Sequence, residues 1–223
     1  MDLKRILSTL GMDLLLPESF IQNFCKVIHL DPRQVLFSKG DQVEFIYLIL
    51  FGSIRFQSAE LHNEDTVIYA FKSAGSFLGI FTYLEKTHFH TATAVSMEST
   101  SILQIPVEHF LNATELYPSL RDEVHRQIAF NFKELQFDRE IQKSSTSVRL
   151  AHFLIRTLSG QKGLNSRSIL MKLTKKDLAK RIGSEPETVV RLLSKWGRNG
   201  IIKNRNRMIE VCKIEELTKL INS

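Results

Sequence analysis

The chain has 223 residues, of which 43% are hydrophobic and 24% charged. That balance excludes a disordered polar chain and leaves room for one large or two small cores. No apolar run reaches the ~18–20 residues of a membrane span, and the opening MDLKRILSTLGMDLL has no signal-peptide h-region or cleavage site, so the expectation is a cytoplasmic protein without a membrane partner. The net charge of +6 averages unlike parts: residues 1–146 sum to −5, residues 147–213 carry 16 basic against 4 acidic side chains, and the last ten residues sum to −1. A positive segment joined to a mildly acidic one is the footprint of a nucleic-acid binder, because phosphate contacts supply most non-specific affinity.

The first predicted element is a short packing helix in PESFIQNFCKVIH, residues 17–29. Residues 30–106 then alternate short apolar runs (QVLFSKGD, FIYLILFGSIRFQ, TVIYAFKSAGSFLGIF, TATAVSMESTSILQIP) with Gly, Asp, Asn and Ser turns. This predicts many short antiparallel strands, as in a β-sandwich, jelly roll or roll with a ligand-sized interior. From Pro118 to about Ser144 there is no Gly and no further Pro, and Leu120, Val124, Ile128, Leu135 and Ile141 fall roughly on one stripe. The reading is a long helix opened by proline in its first turn, about 38 Å for ~25 residues. Such a helix outruns a small roll, so its remaining stripe is expected to pair with a second copy of itself. Phe130, Phe132 and Phe137 widen the apolar surface beyond a strict heptad seam, and a helix lying wholly on its own domain is the alternative.

SSTS at 144–147 is the expected hinge. After it, VRLAHFLIRTLSG predicts an amphipathic helix ended by Gly160, and QKGLNSRSILMKL a turn and one short strand. The domains expected are 1–116, 117–147 and 148–223.

Thr174 followed three residues later by Asp177 predicts a helix start. DLAKRI runs to Gly183, which suits a tight turn. Ser184 is then expected to cap a second helix, with Pro186 in its first turn and Glu187 at the capping-box position. In that helix Val189, Leu192, Leu193 and Trp196 recur at core spacing. Glu187, Val190, Arg191, Ser194 and Lys195 are left on the opposite face. A short helix, a Gly turn and a second helix form the helix-turn-helix plan, whose second helix enters the major groove of DNA. There Val190 would pack on a thymine methyl, Arg191 reach guanine O6 and N7, and Glu187 accept from cytosine N4. Thr174, Lys175, Ser184, Thr188 and Lys195 complete the expected contact surface. IIKNRNRMIEVCK predicts a hairpin whose Lys203 and Arg205 meet phosphates; a solvated surface hairpin is the alternative.

LTKKDLAKRIGSEPETVVRLLSKWGRNGII resembles the helix-turn-helix of the CRP/FNR family of bacterial transcription regulators, including an E-T-x-x-R core at Glu187, Thr188 and Arg191. FSKGDQVEFIYLILFGSIRF resembles the family's Gly-Asp turn, Tyr-x-Ile and further Gly, and GSFLGIFTYLEKTHFHTATAV stands in the place of its effector cassette. The resemblance covers nearly the whole chain. It implies an α+β fold with an N-terminal antiparallel, jelly-roll-like β-roll, a long dimerisation helix and a C-terminal winged helix-turn-helix. It also implies a homodimer on a palindromic double-stranded operator, RNA polymerase as a partner, and an effector that turns the basic domains into register through residues 144–147. Regulation without an effector is the rival reading.

The sequence departs from that pattern at the effector. Cyclic-AMP-binding relatives carry Glu and Arg where this chain has Ile80 and His90, leaving only Thr91-Ala92, and their adenine-reading Thr and Ser fall near Leu135 and Gln136. Two lost charge-assisted contacts remove ~1.5–3 kcal/mol each, so cyclic AMP is not expected. Two cysteines, Cys25 and Cys212, cannot supply four thiolates to an iron–sulfur cluster. The expected pocket is apolar, built from Phe71, Phe77, Gly79, Ile80, Phe81, His90, Thr91 and Leu135. Its ligand is unknown, and haem on His88, His90, His109 or His125 is one alternative. A more distant one is a cupin-like metal enzyme using His88 and His90 on one strand face. The next acid is Glu98, too far along for that motif, so neither catalytic nor metal-binding residues are expected.

Overall fold

The computed structural model describes residues 3–58, 66–81, 88–160, 168–169, 173–205 and 208–221. Two four-stranded antiparallel sheets form the N-terminal roll. One orders β1 (Lys26–Leu30), β8 (Thr100–Pro106), β3 (Phe45–Phe51) and β6 (Phe77–Leu78); the other orders β2 (Val35–Phe37), β7 (Thr93–Ser96), β4 (Ser53–Gln57) and β5 (Ile68–Ser73). The run FIYLILF is continuous rather than alternating because β3 is covered on both faces. Ile46, Leu48 and Leu50 join a core shared with helices. Tyr47 and Ile49 face the roll interior with Phe37, Ile54, Leu78 and Ile102.

The helical side of that core is made by α1 (Leu3–Thr9), α2 (Glu18–Phe24), α3 (Val107–Leu116) and the first half of α4 (Pro118–Glu140). The α+β architecture is the expected one, with local corrections. The helix expected over residues 17–29 stops at Phe24. Residues 26–30 are instead an edge strand in register with β8, Ile28 opposite Ile102, because β-branched Val27 and Ile28 find a ladder partner there. Helix α4 opens on Pro118 at its first position and runs 23 residues before one 3₁₀ turn, Ile141–Lys143. Leu120 and Val124 are buried and Ile128 packs beside them.

The expected hinge is shorter than its sequence. Helix α5 (Thr146–Gly160) already includes Thr146 and Ser147, so only Ser144 and Ser145 separate it from the 3₁₀ turn. A separate core follows, in which Leu150, Ala151 and Leu154 of α5 pack on α6 (Lys175–Ile182), α7 (Pro186–Arg198), the wing and α8 (Ile214–Ile221). The wing is β10 (Ile202–Arg205) and β11 (Met208–Val211), with β9 (Ser168–Ile169) as third strand. The turn expected within QKGLNSRSILMKL falls on residues outside the described ones.

Two glycines with positive φ have different costs of substitution. At Gly52 (φ 86°) a Cβ would stand 2.5 Å from Thr100 Oγ1 and 2.8 Å from the Ser99 carbonyl, whereas at Gly183 (φ 61°) it would meet nothing within 4 Å. Left-handed backbone costs ~1–2 kcal/mol and overpacking a further ~1–3. Gly52→Ala should therefore destabilise by about 2–5 kcal/mol and Gly183→Ala by about 1–2, read from denaturant midpoints. Equal losses would contradict the collision at Gly52.

Candidate functional site: nucleic-acid interface and cavity

The first helix of the pair begins as its sequence requires. The Thr174 hydroxyl accepts from Asp177 N at 3.0 Å and donates to Asp177 Oδ2 at 2.6 Å, while Thr174 N donates to the same carboxylate oxygen at 3.3 Å. Gly183 closes it in the left-handed region, φ 61° and ψ 56°. The second helix starts one residue later than expected. Glu185, not Ser184, is its N-cap, no side chain caps it, and Pro186 takes the first position. Proline needs no partner for an N–H it lacks, and the Glu185 carbonyl receives Thr188 N and Val189 N. Glu187 therefore stands exposed on the first turn of α7 rather than closing a capping box.

The adjacent valines of α7 divide its two faces. Val189 is fully buried beside Leu193 and Trp196, with Leu192 half-buried, whereas Val190 is 39% exposed. Glu187, Arg191, Ser194 and Lys195 are exposed with Val190, as are Lys175 on α6 and Lys203 on β10; Thr174, Ser184 and Thr188 are half-buried. Arg205 ends β10, and its side chain lies outside the described residues. The outward surface thus combines one acid, one apolar side chain and several bases around the end of a helix.

Behind this surface a cavity of about 620 Å³ lies between the roll, α4 and the winged domain, and all eight expected pocket residues line it. Gly79 holds a left-handed backbone there (φ 88°), where a Cβ would be strained and would come 3.2 Å from Ile46 Cδ1. His90 is buried and stacks on Phe37 with ring centroids 3.5 Å apart. Burial pushes its pKa down to about 4 against the pull of Asp41, so its imidazole is neutral. Phe71 does more than line the cavity: its ring packs edge-on against Phe153 at 5.8 Å and joins the core of the winged domain.

The lining is mainly apolar, as expected, but it also includes polar groups that the expectation left out: Lys72, Asn131, Glu134, Asp138, Arg156 and Arg181. Arg156 pairs with Glu134 while lying 4.7 Å over the Phe137 ring, and Arg181 pairs with Asp138 at 2.5 Å. Asn131, Glu134 and Asp138 recur at i, i+3 and i+7 on α4, a polar stripe visible in the sequence once the apolar stripe is set aside. The basic partners lie on other elements, where no local pattern marks them.

Among the described residues the histidines do not converge. His88 (φ 57°) is exposed and His90 buried, flanking an isolated bridge between Gln42 and Phe89, so the two do not share a strand face as a two-ligand site requires. His109 stacks on Phe24 at 4.1 Å and His125 is exposed on α4.

The fold and this surface define a DNA-binding regulator with a β-roll domain and a winged helix-turn-helix. Residues 27–117 match the cyclic nucleotide-binding domain and residues 148–220 the Crp-like helix-turn-helix domain. Regulatory protein HlyX of Actinobacillus pleuropneumoniae is 26% identical over 191 residues, 83% of this chain and 77% of its own length. The fumarate and nitrate reduction regulatory protein of Escherichia coli K12 is 25% identical over 193 residues, 84% and 75%. Among solved structures, FixK2 from Bradyrhizobium japonicum superposes with a TM-score of 0.74 at 19% identity, covering 88% of this chain and 96% of that one. A CooA variant from Carboxydothermus hydrogenoformans gives 0.73 at 18%, covering 99% and 96%. The chain belongs to the CRP/FNR family and is a transcription regulator of that type.

The stacked, neutral His90 has a consequence for acid stability. Its folded pKa of about 4 lies below the ordinary 6.5, so between those values the unfolded chain holds a proton that the folded chain does not. Stability should fall as pH is lowered from about 6.5 to about 4 and level off below. His90→Leu should flatten that limb in denaturant titrations; the same acid dependence in both proteins would remove His90 as its cause.

Proposed function

We propose that this chain is a homodimeric, sequence-specific regulator that reads a twofold operator and is gated by a small effector other than cyclic AMP. The observation that carries the reading is the outward face of α7, where Glu187, Val190 and Arg191 stand exposed together on a helix whose other face packs on the core through Val189, Leu193 and Trp196. Glu187 accepts from cytosine N4, Arg191 donates to guanine O6 and N7, and Val190 packs on a thymine methyl. Thr174, Lys175, Ser184, Thr188 and Lys195 flank that contact, and Lys203 and Arg205 of the wing meet phosphates. Residues 1–116 sense, 117–147 dimerise and hinge, and 148–223 bind DNA. RNA polymerase is the further partner, the cytoplasm the place of action, and no catalytic step is involved.

Dimerisation is supported by the second half of α4, which leaves Phe132 59% and Leu135 57% exposed. Two apolar side chains left open one helical turn apart fit a copy of the same helix, and a twofold protein reads a twofold site. Gating is supported by the cavity, whose walls come from both the roll and the winged domain. A neutral His90 and a buried Ile80 cannot replace the Arg and Glu that hold a cyclic nucleotide in relatives.

Binding-site selection followed by affinity measurement tests the DNA reading. Arg191→Ala should cost ~1–3 kcal/mol and relax one base position, whereas Lys203→Ala should weaken all sequences alike and lower the salt slope by about one. A uniform loss for Arg191→Ala at every position would sink direct readout. Phe132→Asp with Leu135→Asp should sediment as a folded monomer at micromolar concentration. An unchanged dimer would place the interface elsewhere.

A further inference from the structure

The charges around the cavity do not cancel. Four cations line it: Lys72 on β5, Arg126 on α4, Arg156 on α5 and Arg181 on α6. Three have carboxylate partners, Arg126 with Glu123, Arg156 with Glu134 and Arg181 with Asp138. Lys72 has none among the described residues; its ammonium donates only to the side-chain oxygen of Asn131. His152, the remaining titratable group on that wall, is held neutral by burial and by Arg156. One positive charge is therefore left over on a half-buried side chain.

Lys72 points inward for a reason of register. On β5 it lies opposite Ile54, which faces the roll interior, while its neighbour Phe71 lies opposite Arg55, and both of those turn to the winged domain. Strand alternation thus turns the lysine to the side of the roll interior and Phe71, which also borders the cavity, towards the winged domain. An amide oxygen is a weak substitute for a counter-ion in such a place. Burial accordingly drags the Lys72 pKa down to about 8, with Arg181 adding to the fall and Glu134 opposing it. The Nε–H groups of Arg156 and Arg181, on the same wall, are buried without a hydrogen-bond partner among the described residues. The apolar lining includes Phe37, Phe56, Ile80, Phe81 and Leu135.

We infer that the cavity takes a monoanionic organic acid, its acidic group paired with Lys72 and its apolar body lying against Phe56, Ile80, Phe81 and Leu135. The single uncompensated cation sets the charge at one, and about 620 Å³ lies within the range that encloses a small organic molecule. The anion would sit among Lys72, Asn131, Arg156 and Arg181, touching the strand, α4, α5 and α6 at once. This inference rests on reading the cavity as the effector site and adds the chemical class of what fills it.

Two fluorescent probes with one ring body separate the acidic group from the apolar one: 8-anilinonaphthalene-1-sulfonate, a monoanion, and N-phenyl-1-naphthylamine, its neutral counterpart. With the full-length protein, Lys72→Met should weaken the anionic probe about tenfold or more and change the neutral one less than about twofold. Arg126→Gln, on the same wall but already paired, should leave the ratio of the two affinities unchanged. In the unaltered protein the anionic probe should weaken as pH rises from about 7 to about 9, where Lys72 loses its proton, while the neutral probe does not. That arm stands even if Lys72→Met fails to fold. Equal effects on both probes, no effect on either, or the same loss in Arg126→Gln would overturn the inference. Operator affinity measured on the same samples keeps the two readings apart. Loss of probe selectivity with unmoved DNA binding keeps the acid site and removes the gating, whereas retained selectivity removes the acid site whatever the DNA shows.

Discussion

Helix α4 has to serve two bodies with one surface. Its first three turns are part of the roll's core through Leu120, Val124 and Ile128. Farther along it meets the winged domain, Phe137 lying beside His152 and under Arg156. There it holds the winged domain by charge, Glu134 to Arg156 and Asp138 to Arg181. Partly buried ion pairs repay their desolvation poorly, and truncating one partner costs far more than the pair itself contributes. Their effect is directional: they set where α5 and α6 sit relative to α4 without welding them there, as an apolar interface would.

A second set of contacts reaches the winged domain from the sheet side. Asp177 closes the capping box of α6 with one carboxylate oxygen and receives Arg55 of β4 at 2.8 Å with the other. Beside it Phe71 of β5 inserts its ring into the winged core against Phe153. The residue that starts the helix-turn-helix is thus also the one that docks it on the roll. A shift of β4 or β5 would reach the N-terminus of α6, the first helix of the helix-turn-helix, through these contacts. The cavity lies between this set and the α4 set, so an occupant with different affinity for two arrangements of the domains would shift the balance between them.

Val190 shows how far local reasoning reaches. Val189 and Val190 are the same residue type side by side, and helical periodicity alone assigns one to the core and the other to the outside; the structure puts them at 0% and 39% exposed. The same logic read the Thr174–Asp177 cap, the turn at Gly183 and the wing hairpin, because each is decided within a few residues. It misplaced the cap of α7 by one residue, since Ser184 is a good cap in isolation but Pro186 leaves Glu185 as the junction.

The sequence by itself determined the class of protein: a strand-rich half, a long helix and a basic helix-turn-helix, each set by periodicity, turn chemistry and charge along the chain. One wall of the cavity followed from the resemblance of residues 75–95 to the family's effector cassette. Only the tertiary structure decided that residues 26–30 are a strand, since their ladder partner is more than seventy positions away, Lys26 opposite Gln104. It alone decided that the cavity has charged groups in its lining. Arg55 and Asp177 are 122 positions apart and Lys72 and Asn131 are 59. Pairings of that range are fixed by how the domains pack, which no local propensity encodes.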